Sequence, residues 1–176
     1  MIRIGERNDM KLAVIYDSKT GNTKMAAEWI VEGMTEVTDI EAKAFDIHDI
    51  DEAFVKESKG VVIGSPSYVA LMTPDIHSFI MGNGGKLGFG GKLGGAFATE
   101  QYTHGGGDTV IQSILTMEMV NGMMCYSGGN SCGKPCIHLG PVAVNDNIEK
   151  HNGMDKYKDN FVIYGHRFAQ KAAEIF

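Results

Sequence analysis

The sequence predicts a doubly wound α/β domain built on a five-stranded parallel sheet. Short apolar runs recur along the chain, and segments with apolar residues at three- and four-residue spacing stand between them. Turns rich in Gly, Ser, Thr and Pro follow the runs. Strands that alternate with helices need crossover connections, and these place helices on both faces of a parallel sheet.

Residues 1–9 are polar and unpatterned and read as an N-terminal extension, expected to be poorly ordered. Residues 10–176 then form a single domain with one core. Residues 11–16, Lys-Leu-Ala-Val-Ile-Tyr, read as a buried first strand. Met25, Ala26, Trp29, Ile30, Gly33 and Met34 mark the first helix, with Asn22 as a candidate cap. A second strand is expected within 38–47, a short helix over 51–57, and a third strand at 60–64. Thr73-Pro74-Asp75 carries the marks of a helix start: a capping hydroxyl, a proline for the first turn and an acid for the dipole. Residues 94–99 read as strand four, and Asp108 as the cap of the next helix. The last strand falls in 123–127 or in 137–144. Phe161, Tyr164, Phe168, Ala169, Ala172 and Ile175 give the closing helix its apolar face.

Composition excludes several classes of function. A formal charge of −6 without a long basic block argues against nucleic acid as the main partner. No apolar run reaches the roughly 18 residues of a membrane span, and residues 1–9 do not read as a signal peptide, so a cytoplasmic location is expected. Cys125, Cys132 and Cys136 have neither the spacing of a structural zinc site nor the four thiolates of an iron–sulfur cluster, and no metal centre is expected from them. Eight glycines between residues 82 and 95 contain no GxGxxG, and they precede a strand instead of following one; a flexible surface connection is expected. Met72, Met117, Met119, Met123 and Met124 read as core filling.

In a doubly wound sheet, ligands bind beyond the carboxyl ends of the strands. Three loops are therefore candidates. The first, Ser18-Lys19-Thr20-Gly21-Asn22-Thr23, joins a buried strand to a helix. Its hydroxyls converge with free backbone N–H groups at a helix N-terminus, a site suited to a phosphate. The second holds Pro66, Ser67, Tyr68 and Val69, and the third Thr99, Glu100, Gln101 and Tyr102 followed by His104.

The strand–S-x-T-G-N-T–helix arrangement resembles the FMN phosphate loop of the flavodoxin superfamily. Gly64-Ser65-Pro66-Ser67-Tyr68 is similar to the G-[ST]-P-x-Y loop of NADPH-dependent FMN reductases. The stretch from Gly91 to His104-Gly105-Gly106-Gly107-Asp108 resembles the region of WrbA-type NAD(P)H:quinone oxidoreductases in which a loop ends in H-G-G. The resemblance covers residues 11–125 in order and implies a flavodoxin-like sheet of order 2-1-3-4-5.

It further implies that Ser18 to Thr23 hold the FMN phosphate. Pro66, Ser67, Tyr68 and Val69 would meet the dimethylbenzene and N5 side of the flavin, and Thr99 to Tyr102 its pyrimidine end. Glu100, Gln101 and Tyr102 depart from the WrbA-type pattern of small hydroxylated residues and glycine. Glu100 either faces the flavin, where it would lower the potential, or faces water. His104 would orient and protonate an acceptor. On this reading the protein is an NAD(P)H-dependent reductase of quinones or similar flat acceptors, with NADH or NADPH as diffusible donor and ping-pong hydride transfer through FMN. The alternative is a flavodoxin-type electron carrier serving a redox protein partner, which Tyr68 and Tyr102 favour because aromatics over the flavin would exclude hydride donors. Related reductases suggest a homodimer or homotetramer.

Overall fold

A computed structural model describes residues 9–146 and 151–176. The expected N-terminal extension, but for Asp9, lies outside the described residues. The elements in order are β1 (Met10–Tyr16), α1 (Asn22–Thr35), β2 (Ile40–Asp46), α2 (Glu52–Glu57), β3 (Gly60–Pro66), α3 (Pro74–Asn83), β4 (Leu93–Glu100), α4 (Gly107–Val120), β5 (Met124–Cys125), β6 (Val142–Val144) and α5 (Lys158–Ile175). All strand pairings are parallel, and the sheet runs β2-β1-β3-β4-β5. The predicted fold class is the one observed, with one addition. A sixth strand, β6, also pairs with β4.

The two candidate segments for the last strand thus share one position at the sheet edge. β5 runs beside Leu93 and Gly94 at the start of β4, and β6 beside residues 98–100 at its end. Residues 127–140 form the excursion between them, since Tyr126 N still donates to Gly94 O and Pro141 O still accepts from Ala98 N. Arg167 of α5, 8% exposed, holds that excursion by donating to the carbonyls of Lys134 and Pro135, each at 3.0 Å.

Leu12, Ala13, Val14 and Ile15 of β1 are fully buried because the sheet is covered on both faces. Their side chains alternate between two cores. Leu12 and Val14 pack with Trp29 and Ile30 of α1 and with Phe161, Tyr164 and Phe168 of α5. Ala13 and Ile15 pack with Phe54 of α2, Ile76 and Ile80 of α3, and Val110, Ile111 and Ile114 of α4. Trp29 meets Phe161 edge-on with ring centroids 5.8 Å apart, a favoured aromatic geometry. Ile175, expected on the core face of α5, is 45% exposed, one residue from the end of the chain.

Several local expectations hold. Thr73 caps α3, its hydroxyl accepting from Ile76 N, and the short second helix is present over Glu52–Glu57, where Asp51 serves as a cap that was not expected, accepting from Phe54 N. Others are corrected. At α1 and α4, glycine in the left-handed region takes the cap position: Gly21 precedes α1 and Gly106 precedes α4. Asn22 and Asp108 are already inside the helices. The glycine-rich stretch is anchored instead of flexible, since Leu87 and Phe89 between its glycines are 1% and 0% exposed. Of the five methionines, Met123 is buried and Met72 and Met117 pack partly buried on the same core, whereas Met119 and Met124 are exposed. Among the described residues, no helix is long and apolar enough to cross a membrane.

Candidate cofactor-binding site

The carboxyl ends of β1, β3 and β4 open onto a cavity of about 360 Å³. Lys19, Thr20, Asn22 and Thr23 line it from the first loop, Pro66, Ser67 and Tyr68 from the second, and Thr99, Glu100 and Gln101 from the third. The three sequence-predicted loops therefore converge. Asn145, at the end of β6, completes the wall and was not expected; nothing in its local sequence marks it. It arrives because β6 pairs with β4 and Asn145 N donates to Glu100 O at 2.8 Å.

The first loop ends at Gly21, with φ 89° and no side-chain cap on the helix that follows. The first main-chain bond of α1 is Met25 N to Gly21 O at 3.0 Å, so the N–H groups of the opening turn have no acceptor in the helix. No acidic residue occupies that turn. At α4 the situation is opposite. The Glu100 carboxylate accepts from Gly107 N at 2.6 Å, and Asp108 adds a second negative charge to the first turn. The two glycine-capped helix N-termini at the ligand end of the sheet thus differ. One is already neutralised from within, and the other is left open to an external anion.

Buried polar atoms mark the same place. Ser18 Oγ and Asn22 Oδ1 are buried without a hydrogen-bond partner, and so is Asn145 Oδ1 across the cavity. Such atoms normally find partners. The Ser18 hydroxyl beside an open helix N-terminus can donate to a phosphate oxygen, whereas Asn22 Oδ1 is an acceptor and suits a donor group. The Asn145 acceptor suits an N–H or O–H further along a ligand. Thr23, 2% exposed, places its hydroxyl 2.9 Å from that of Thr99 and links α1 to β4.

The second loop is rigidly built. Ser65 Oγ accepts from Thr73 N at 3.0 Å and donates to Pro66 O at 2.9 Å. Ser67 N donates to Thr99 O at 2.8 Å, and Ser67 Oγ donates to Gly105 O at 2.5 Å. Tyr68 and Leu71 then exchange two main-chain hydrogen bonds around Val69 and Ala70, whose φ values are 53° and 62°. A β-branched residue at positive φ is strained, and Val69 is 96% exposed at the tip of the turn. The turn rests on Gly106, where a Cβ would lie 2.4 Å from that of Ala70. Tyr68 carries the Lys19 ammonium over its ring at 5.7 Å, joining the first loop to the second.

Val69, Tyr102 and His104 do not line this cavity. They line an adjacent one of about 530 Å³, which shares Ser67, Tyr68 and Gln101 with the first. His104 is exposed there, and Tyr102 is 67% exposed. Ser18 and Gly21 belong to the first loop without lining the cavity. Glu100 is turned onto the α4 N-terminus, which answers the question left open by its sequence position.

Known proteins resemble the chain at several levels. The family profile described as flavodoxin matches residues 14–80. A flavodoxin of Clostridium saccharobutylicum is 37% identical over 167 residues, covering 95% of this chain and 100% of that protein. An NAD(P)H dehydrogenase (quinone) of Syntrophus aciditrophicus is 25% identical over 142 residues, covering 65% of this chain and 70% of the relative. Among solved structures, a flavodoxin from the domain Archaea superposes with a TM-score of 0.72 at 21% identity, covering 93% of this chain and 99% of that one, a likeness of fold.

Proposed function

Since the chain belongs to the flavodoxin family, we propose that it binds FMN at the convergence of its three loops and serves as an electron carrier between redox partners. The observation that carries the cofactor reading is the unpartnered, buried Ser18 hydroxyl beside the open N-terminus of α1. FMN, when bound, supplies the redox chemistry, storing and releasing electrons. Ser18, Thr20 and the N–H groups at the start of α1 would hold its phosphate. Pro66, Ser67 and Tyr68 on one side, with Thr99, Gln101 and Asn145 on the other, would hold the remainder. Glu100, engaged by Gly107 N, keeps its carboxylate on the helix terminus.

The likeness over the full length of a protein named flavodoxin, at 37% identity, supports a carrier over the reductase that the loop motifs suggest. The quinone dehydrogenase relative is more distant, at 25%. His104, the residue on which a reductase would depend, stands exposed on the rim of the second cavity. The test is anaerobic mixing of FMN-loaded protein with NADH and with NADPH, following flavin absorbance. A carrier leaves the flavin oxidised with both, and dithionite then reduces it in two resolved one-electron steps. Rapid bleaching by either nucleotide, with recovery on adding a quinone, would establish the reductase instead.

A further inference from the structure

Beside the phosphate loop, three residues far apart in sequence come together. Asp17 follows β1, His48 follows β2, and Asp75 is the second residue of α3. One potential ligand atom from each lies within 4.8 Å of the other two. Asp75 complements the dipole of a capped helix, and an exposed histidine needs no explanation, so neither residue marks a site alone. Asp17 does. It is 2% exposed, and its Oδ2 is buried without a hydrogen-bond partner. Among the described residues, no lysine or arginine forms an ion pair with it. Buried carboxylates are paired or coordinate a metal.

We propose that Asp17, His48 and Asp75 form a binding site for one divalent transition ion, with Zn²⁺ as its probe. Two carboxylates balance the charge of the ion. The imidazole selects a borderline ion such as Zn²⁺ over Mg²⁺ or Ca²⁺. Three protein ligands leave a position for water. His48 and Asp75 are exposed and free to close on the ion, while Asp17 is fixed by burial. The turn carrying the imidazole is held by His48 N donating to Asp46 Oδ1 at 3.0 Å. Asp46, Asp49 and Asp51 line a neighbouring cavity together with Lys24, and their net charge favours a cation nearby. The site stands independently of the FMN reading.

The test is calorimetric titration of ZnCl₂ into EDTA-dialysed, full-length protein, with Cys125, Cys132 and Cys136 changed to serine because all three are exposed cysteines. The expected result is one ion per chain. His48→Ala and Asp17→Asn should each weaken it by at least the roughly 10–100-fold that a change behind the ligands already costs a metal site. His48→Ala changes an exposed side chain and decides the matter if Asp17→Asn fails to fold. No saturable binding at one ion per chain, or equal affinity in His48→Ala, would overturn the proposal.

Discussion

The Thr23 and Thr99 hydroxyls lie 2.9 Å apart in a buried contact between the first turn of α1 and the end of β4. This bond fixes the distance between the loop assigned to the phosphate and the loop assigned to the ring. Thr99→Val keeps the shape and leaves the Thr23 hydroxyl unsatisfied. It should destabilise the fold by about 1–3 kcal/mol and weaken FMN. Urea unfolding of the flavin-free chain and fluorescence titration with FMN check the two effects separately.

Thr20 is exposed and lines the same cavity. Thr20→Ala should leave stability within about 0.5 kcal/mol, while FMN affinity falls by the ~1.5–3 kcal/mol of a hydrogen bond to a charged group. Unchanged affinity would place the phosphate elsewhere.

The strained turn at Val69-Ala70 predicts opposite effects of two substitutions. Val69→Asn suits the positive φ and should raise stability by about 1 kcal/mol. Gly106→Ala introduces a Cβ 2.4 Å from that of Ala70, at a residue whose φ is 89°. It should cost several times as much and move the Tyr68 loop. Thermal unfolding of both variants, alone and with FMN, measures this.

Glu118 on α4 is fully buried, and its Oε1 has no partner. Burial holds its carboxyl well above the ordinary glutamate value of 4.5, so the folded chain keeps a proton there that the unfolded chain releases. The sign follows from linkage: stability is fully present below the unfolded value and declines as pH rises above it. Glu118→Gln removes the dependence. Its stability relative to the native chain should therefore be greater at pH 8 than at pH 5 in urea titrations. Parallel values at the two pH values would refute this.

Cys125 is exposed as a residue, but its Sγ turns onto α4, donating weakly to Leu115 O at 3.5 Å and Glu118 Oε2 at 3.6 Å, and burial of the sulfur together with that carboxyl pushes the thiol up to about 12. Little thiolate forms near neutrality. Iodoacetamide at pH 8 should thus modify Cys132 and Cys136 well before Cys125, as peptide mass mapping over time would show.

What could be read from the sequence was local. The continuous burial of β1, the Thr73 cap on Ile76 N and the loop from Ser18 to Thr23 all depend on neighbours in the chain, and each stands where expected. Features set by distant partners were not legible. Asn145 reaches the cavity only because β6 lies beside β4, and Glu100 finds its acceptor role only because Gly107 returns to it. Asn22 looked like a cap because side-chain caps are common, whereas here Gly21 leaves the terminus open. Glycines free the backbone around Leu87 and Phe89 locally, and only the burial of these two side chains against distant residues pins the segment. The Asp17–His48–Asp75 group has no sequence spacing to reveal it, because three separate crossovers bring it together.

The most direct measurement compares the affinities of FMN and riboflavin for the full-length chain, which differ only by the phosphate assigned to the α1 N-terminus. FMN should bind at least about a hundredfold more tightly, the equivalent of two hydrogen bonds to a charged group at ~1.5 kcal/mol or more each, and Thr20→Ala should narrow the difference. Equal affinity for the two flavins would contradict the assignment of the Ser18–Thr23 loop and, with it, the proposed site.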